Sequence, residues 1–242
     1  MESLYLETNP FTIFNGEHWI WLLYGVLSTI FWIRLGRKAP TQVQKQRVAL
    51  WMGLLGVIAW VYSDLVMFAT GQAKSQSVIP FHLCYVLNLA LPYIFWKGRI
   101  ELFDWIYPIV IAGCLQALFT PDLSQGFPHY YNIRYWFVHV ALVQYAFFAI
   151  FVFDFRPTFM GIFKCILAIN LYALCLVPIN WLLDTNFLYI RYPAKGSIME
   201  MLGPWPQYLF ALEGLMFVFF LIVYLPFGLT PQKQHAQQTV QP

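Results

Sequence analysis

Charged residues are scarce in this chain of 242 residues. Asp, Glu, Lys and Arg together make up 10% of it, whereas a soluble globular domain carries about a quarter. Hydrophobic residues make up 60% and aromatic residues 20%. This composition excludes an ordinary soluble domain and indicates an integral membrane protein.

Several common sequence signals are also missing. No glycine-rich phosphate loop and no basic stripe interleaved with aromatic residues occurs, so we expect no nucleic-acid partner and no cofactor. No internal repeat is visible, which argues against an inverted-repeat transporter. The first apolar run follows Glu2, Glu7 and Glu17 rather than a basic segment, and no small-residue cleavage site closes it. We therefore expect a retained helix rather than a signal peptide.

The four cysteines all fall within apolar runs, and none lies in a longer loop where a structural disulfide would usually form. We therefore expect free thiols. For Cys114, Cys165 and Cys175 the expected role is packing, because a thiol behaves as a small hydrophobic group. Cys84 differs because it lies close to a histidine in the chain.

Seven apolar runs approach or exceed the ~20 residues that an α-helix needs to cross a bilayer core, once short flanks are counted. They are residues 19–33, 48–69, 78–96, 102–119, 133–153, 159–183 and 208–227. Unbroken runs of this length favour helices over the alternating strands of a barrel. The predicted fold is an all-α polytopic bundle of seven transmembrane helices over residues 1–229. Residues 230–242 are Gln-rich and polar and are expected to form a disordered cytoplasmic tail.

The basic residues predict the orientation of this bundle. If the N-terminus is outside, only Lys74, Arg134, Arg191 and Lys195 of the 14 Lys and Arg lie on the outer side. The remainder, including those of the loop at 34–47, face the cytoplasm, in agreement with the positive-inside rule. The predicted orientation is N-out and C-in, in a cell membrane.

With this orientation, the polar residues of the predicted spans gather in the outer half of the bilayer. A polar group inside a membrane helix is costly, so its placement is a hint of function. The residues concerned are Asp64, His82, Cys84, Asn88, His139, Asn180 and Glu213. We expect them to line one polar cavity that opens outward or into the outer leaflet.

Helical geometry then selects the pair that carries chemistry. His82 and Cys84 are two residues apart, about 200° around a helix, so they do not point at the same spot in a regular helix. The imidazole best placed to meet the Cys84 thiol is therefore His139, across a helix interface. An imidazole can take the thiol proton and generate a thiolate nucleophile.

Other residues of this layer can support that chemistry. The amide of Asn88 or Asn180, or a free N–H group near the start of the third helix, can stabilise an oxyanion. Asp64 or Glu213 can orient the imidazole. A buried carboxylate also needs a cationic partner, and the candidates from the outer segments are Arg134, Arg191 and Lys195.

Structural interpretations stand beside this one. Cys84 can be a packing residue, and the histidines and amides can be interhelical hydrogen-bond partners. His82, Cys84 and His139 can supply three metal ligands, but their spacing matches no tight ligand pair, so we expect no metal site. A transporter or lipid-binding protein would instead use Asp64, Glu213 and the histidines as a polar pathway, and a structural subunit would use these groups as interhelical contacts.

Four strings of the sequence resemble a known family. They are Pro-Phe-His-Leu-Cys at 80–84, Arg-Tyr-Trp-Phe-Val-His at 134–139, Asn-Trp-Leu at 180–182 followed by Asp184 and Asn186, and Leu-Gly-Pro-Trp-Pro at 202–206. In this order they are similar to the YwaF-like bacterial membrane proteins and to the transmembrane protein 164 family. The resemblance extends from the second predicted helix to the seventh.

This resemblance implies a helical bundle distantly related to the androgen-induced membrane hydrolases, which use a Thr nucleophile and a His. It also implies an acyltransferase that moves a fatty acyl chain from a phospholipid to a lysophospholipid through a Cys. Carried over by position, Cys84 and His139 are the catalytic residues, and membrane lipids are the substrates. His82, Asn88, Asp64, Asn180, Asp184, Lys195 and Glu213 are expected to bind substrate or support the site.

Overall fold

A computed structural model describes residues 9–73, 79–194 and 198–229. Within these ranges the chain forms seven α-helices and no β-strand. The helices are α1 Gly16–Lys38, α2 Gln42–Ala69, α3 Leu83–Trp96, α4 Tyr107–Phe119, α5 Tyr130–Val152, α6 Phe159–Leu182 and α7 Gln207–Gly228. Short 3₁₀ segments cover Ile100–Trp105, Phe187–Tyr189 and Ile198–Leu202.

The prediction of an all-helical membrane-type fold is confirmed. Helices α1, α2, α5, α6 and α7 are long and apolar enough to cross a membrane. Helices α3 and α4 have 14 and 13 residues and are apolar but shorter. Large apolar side chains are exposed around the bundle, among them Trp51, Leu174 and Phe210, as expected where lipid covers the surface.

Two predicted helices are shorter than their apolar runs. The third was predicted from residue 78 but begins at Leu83, after His82 in an extended conformation. The run at 102–119 was predicted as one helix but divides at Ile106 into a 3₁₀ segment and α4. Pro108 lies in the first turn of α4, a position where proline stabilises a helix start because its missing N–H is not needed there.

Helix α5 is the centre of the bundle. It packs against α1, α2, α3 and α4, and most of its apolar length is buried. The packing against α2 is close: a Cβ atom on Gly53 would lie 2.7 Å from Cζ of Tyr145. The Tyr145 hydroxyl donates a hydrogen bond of 2.8 Å to the Ala49 carbonyl oxygen. Small residues therefore set the distance between these two helices.

One end of the bundle is rich in basic residues. Arg37 Nε donates to the Phe151 carbonyl oxygen at 3.0 Å, which joins the end of α1 to the end of α5. Lys164 Nζ forms an ion pair of 2.9 Å with the buried Asp104, which also accepts hydrogen bonds from Thr158. The start of α6 is thereby fixed to the 3₁₀ segment before α4. We call this the basic end.

The opposite end holds the start of α1, the end of α4 and the start of α5. His18 Nε2 donates to the Leu118 carbonyl oxygen at 2.8 Å, and Asn132 Nδ2 donates to Glu17 at 2.7 Å. All seven helices run between these two ends in alternating directions. Cys84 lies toward this second end. The tail at 230–242 and Lys195 lie outside the described residues.

Candidate active site

Cys84 is the second residue of α3. His82 directly precedes the helix, with φ −67° and ψ 135°, so helical periodicity does not apply between the two residues. Both side chains consequently line the same cavity, although a regular helix from residue 78 would separate them. The separation of His82 and Cys84 was predicted for a regular helix, whereas the chain is still extended at His82.

Cys84 and His139 are in contact. The Cys84 Sγ atom lies 3.3 Å from His139 Nε2. The other ring nitrogen, Nδ1, lies 2.8 Å from the Tyr135 carbonyl oxygen. Because a carbonyl oxygen only accepts, Nδ1 carries the hydrogen, and the lone pair of Nε2 is directed at the thiol. This arrangement lets the imidazole accept the thiol proton.

The imidazole is therefore oriented by a backbone carbonyl, one turn earlier in α5, and not by Asp64 or Glu213. Tyr135 is itself held in place: its hydroxyl donates a hydrogen bond of 2.8 Å to the Ala117 carbonyl oxygen in α4. The Tyr135 ring lies against the His139 ring, with centroids 4.3 Å apart. Helix packing thus fixes the ring position as well as its protonation pattern.

Cys84 and His139 open onto a cavity of about 450 Å³, within the range of small-molecule sites. It lies between the start of α3, the halves of α4 and α5 remote from the basic end, and the residues Leu188, Tyr189 and Met199. We call it the cysteine cavity. Its polar lining consists of His82, Cys84, Gln116, Thr120, Asp122, Arg134, His139 and four tyrosines, Tyr85, Tyr131, Tyr135 and Tyr189.

Most of these polar lining residues, Arg134, Asp122 and Gln116 among them, were not among the predicted catalytic or supporting residues. Arg134 was considered only as an ion-pair partner, although the resemblance string at 134–139 contains it. Asp122 and Gln116 were not singled out as individual residues from the sequence. A further thiol, Cys114 of α4, is buried in the hydrophobic core against which Cys84 packs, in agreement with its expected role in packing.

Asp64 does not line the cysteine cavity. Its carboxylate lies 3.3 Å from Arg134 Nη1, and the Arg134 side chain is only 2% exposed. The guanidinium also lies over the rings of Tyr131 and Tyr85. The expectation that a carboxylate of this layer pairs with an arginine is thus confirmed for Asp64. Its role in this geometry is to neutralise a buried cation at the cavity wall.

Asn88 joins α3 to α5. Its Nδ2 donates to the Cys84 carbonyl oxygen at 2.8 Å and to the Val138 carbonyl oxygen at 3.2 Å. Both donors of the amide are used in this way, so Asn88 has none left for an oxyanion. The residue holds together the backbones that carry Cys84 and His139.

Asn180 and Asp184 belong to the chain that leaves α6. The buried Asn180 accepts hydrogen bonds from Thr185 and from the Phe187 N–H group and donates to the Phe187 carbonyl oxygen. Asp184 is 92% exposed and pairs with Arg191 at 2.8 Å. Neither side chain reaches the cysteine cavity. They shape the segment that brings Tyr189 over it.

Glu213 lies in a separate, largely apolar cavity between α4, α6 and α7. There it accepts hydrogen bonds of 3.2 Å from Asn170 Nδ2 to each carboxylate oxygen. The polar residues that were expected to surround Cys84 therefore do not all line one cavity. Of the predicted residues that the structure describes, only His82 and His139 share the cavity with Cys84, while Asp64, Asn88, Asn180, Asp184 and Glu213 have other partners.

The family of this chain follows from its match to a family model. The model of the TMEM164 family matches residues 13–224, which is most of the chain. The chain belongs to the TMEM164 family. No curated protein and no solved structure matches it. The TMEM164 family match covers every helix of the bundle apart from the last residues of α7, and it includes both Cys84 and His139.

The Asp64–Arg134 pair generates a prediction about stability. Replacing only the carboxylate, with Asp64→Leu, leaves a buried guanidinium without its counter-charge and should lower the free energy of unfolding by about 3–5 kcal/mol. The double variant Asp64→Leu/Arg134→Met removes both charges and should recover a large part of that loss. Thermal unfolding in detergent micelles measures both of these variants and the single variant Arg134→Met. If the two single changes simply add in the double variant, the pair contributes no coupling energy.

Proposed function

We propose that this member of the TMEM164 family is a membrane lipid acyltransferase, or a lipid ester hydrolase, with Cys84 as nucleophile and His139 as base. The observation that carries the proposal is the 3.3 Å contact between the thiol and the basic nitrogen of a histidine whose tautomer is set by a backbone carbonyl. This pairing is the arrangement that activates a cysteine for attack on an acyl group.

In the proposed reaction, His139 Nε2 takes the Cys84 proton as the sulfur attacks the ester carbonyl carbon. A C–S bond forms, and the carbonyl oxygen becomes an oxyanion. When the tetrahedral intermediate collapses, the ester C–O bond breaks and the His139 proton passes to the leaving alcohol, which is a lysolipid. His139 then removes a proton from the acceptor, a lysolipid hydroxyl or water, which attacks the thioester and releases Cys84.

The start of α3 supports this chemistry. The first N–H groups of an α-helix have no partner within the helix, and the described residues provide no acceptor for those of Leu83 and Cys84. These groups and the positive end of the helix favour a thiolate and a nearby oxyanion. In this proposal these backbone N–H groups stabilise the oxyanion. The sequence alone left two candidates for that role, an amide side chain or a free backbone N–H.

We also propose that the seven helices cross the cell membrane with the N-terminus outside and the basic end in the cytoplasm. The clustering of Arg37, Lys45 and Lys164 at one end of the bundle, together with the positive-inside rule, supports this orientation. His139 lies nine residues into α5, roughly 14 Å from its outer end, so a lipid ester can meet Cys84 below the membrane surface.

Acyl transfer through Cys84 predicts a covalent intermediate. Intact-protein mass spectrometry after incubation with lipid vesicles and an acid quench should show one acyl adduct on Cys84. Cys84→Ala, His139→Ala and the double variant should each lose activity to a similar extent, by about 10²-fold or more, because the two residues act as one unit. Cys175→Ala, at an exposed cysteine, is the matched control and should retain activity.

Turnover that survives Cys84→Ala would reject the acyl-enzyme route. If no adduct forms on the parent protein and no lipid turns over, the lipid-binding or transport alternative is favoured instead.

The orientation predicts a labelling pattern in intact cells. In a Cys84→Ala/Cys175→Ala background, which removes the two cysteines that are not buried, an impermeant maleimide should label Ser124→Cys, which is exposed at the outer end. Gln42→Cys, exposed at the basic end, should be labelled only after permeabilisation. The background protein without an added cysteine gives the blank. Labelling of Gln42→Cys alone in intact cells would reverse the orientation.

A further inference from the structure

The cavity that contains Glu213 has a volume of about 470 Å³. It lies between α4, α6 and α7, beneath the segments that contain Leu188 and Met199. Its walls are mainly apolar, with side chains such as Ile109, Ile169 and Phe220. We call it the apolar cavity. The main polar feature of this cavity is the pair formed by Asn170 and Glu213. Their side chains are hydrogen-bonded to each other, and Asn170 is exposed.

The apolar cavity adjoins the cysteine cavity. Four residues line both of them: Gly113 and Gln116 of α4, and Leu188 and Met199 of the overlying segments. The two spaces meet along the side of α4 that carries Gly113 and Gln116. A single ligand that is polar at one end and apolar at the other can therefore occupy both.

The two cavities differ in chemistry. The cysteine cavity contains Arg134, Asp122 and His82 in addition to the catalytic pair, and these groups suit an ester and its polar substituents. The apolar cavity has few groups that could hydrogen-bond to such substituents. Its lining instead suits hydrocarbon, because burial of an apolar chain is favourable in proportion to the area removed from water.

We propose that the apolar cavity binds the fatty acyl chain that Cys84 transfers, with the chain entering past Gly113. This inference rests on the proposed function, because the ester carbonyl must lie at Cys84. The acyl chain then extends between α4, α6 and α7. The volume of the apolar cavity lies within the range of sites that enclose small organic ligands. In this proposal the volume of the apolar cavity limits the length of the acyl chain that the enzyme accepts.

Gly113 is the position at which this can be tested. A Cβ atom there would meet only Ile109 Cδ1, at 3.4 Å, which is ordinary van der Waals contact. The helix can therefore carry a side chain at this position, and a large one fills the boundary between the cavities. Gly214 of α7 is the matched control, because a Cβ there meets nothing within 4 Å and the residue lines neither cavity.

The first experiment measures the rate of Cys84 acylation by p-nitrophenyl hexanoate and p-nitrophenyl palmitate, followed by mass spectrometry. Gly113→Leu should lower the palmitate rate relative to the hexanoate rate by about tenfold or more, since pocket volume discriminates chain length on this scale. Gly113→Ala should change the ratio in the same direction by less, and Gly214→Leu should leave it unchanged. If the ratio is unchanged in both Gly113 variants, the proposed chain-binding site is overturned. Acylation of Cys84 in the same experiment would still support the catalytic role of Cys84.

The second experiment needs no catalysis. A diazirine-bearing palmitate is photo-crosslinked to the Cys84→Ala protein in nanodiscs, and the labelled residues are mapped by mass spectrometry. Labelling of cavity residues such as Ile169 and Phe220, reduced by Gly113→Leu but not by Gly214→Leu, supports the chain site even if no ester is turned over. Labelling confined to lipid-facing residues such as Leu174 overturns it.

Discussion

The burial of α5 is the constraint on which the site depends. This helix is surrounded by α1, α2, α3 and α4, yet it carries Arg134, Tyr135 and His139 in its first half. A polar group in such a position is costly unless a neighbour satisfies it. Three of the surrounding helices accordingly supply a partner: α2 provides Asp64, α4 provides the Ala117 carbonyl oxygen, and α3 provides Cys84.

This constraint also explains why several supporting residues do not contact the cavity. Asn88 connects the backbones of α3 and α5 at the level of Cys84 and His139, and Asp64 compensates the charge of Arg134. Both act on the geometry of the site through other residues. The separation of a polar cavity at Cys84 from an apolar cavity beside it then matches the two parts of a lipid ester, which supports the proposal of acyl transfer within the TMEM164 family.

The sequence predicted the helical class, the approximate spans and the two residues proposed as a catalytic pair, because apolar length and the depth of polar residues are local properties. It could not predict that α3 begins only at Leu83, since Pro80 is compatible with either a helix start or an extended chain. That detail decides whether His82 shares the cavity with Cys84. The partners of Asn180 and Glu213 depend on how α6, α7 and their loop pack, and no sequence spacing encodes those contacts.

The central claim is that His139 activates the Cys84 thiol, and thiol reactivity tests it most directly. The rate of alkylation by N-ethylmaleimide can be measured for each of the four cysteines by peptide mass spectrometry, in the parent protein and in His139→Gln. We predict that Cys84 reacts fastest and that His139→Gln slows it by about tenfold or more without slowing the exposed Cys175. A Cys84 rate no higher than that of Cys175, or one unaffected by His139→Gln, would contradict the account.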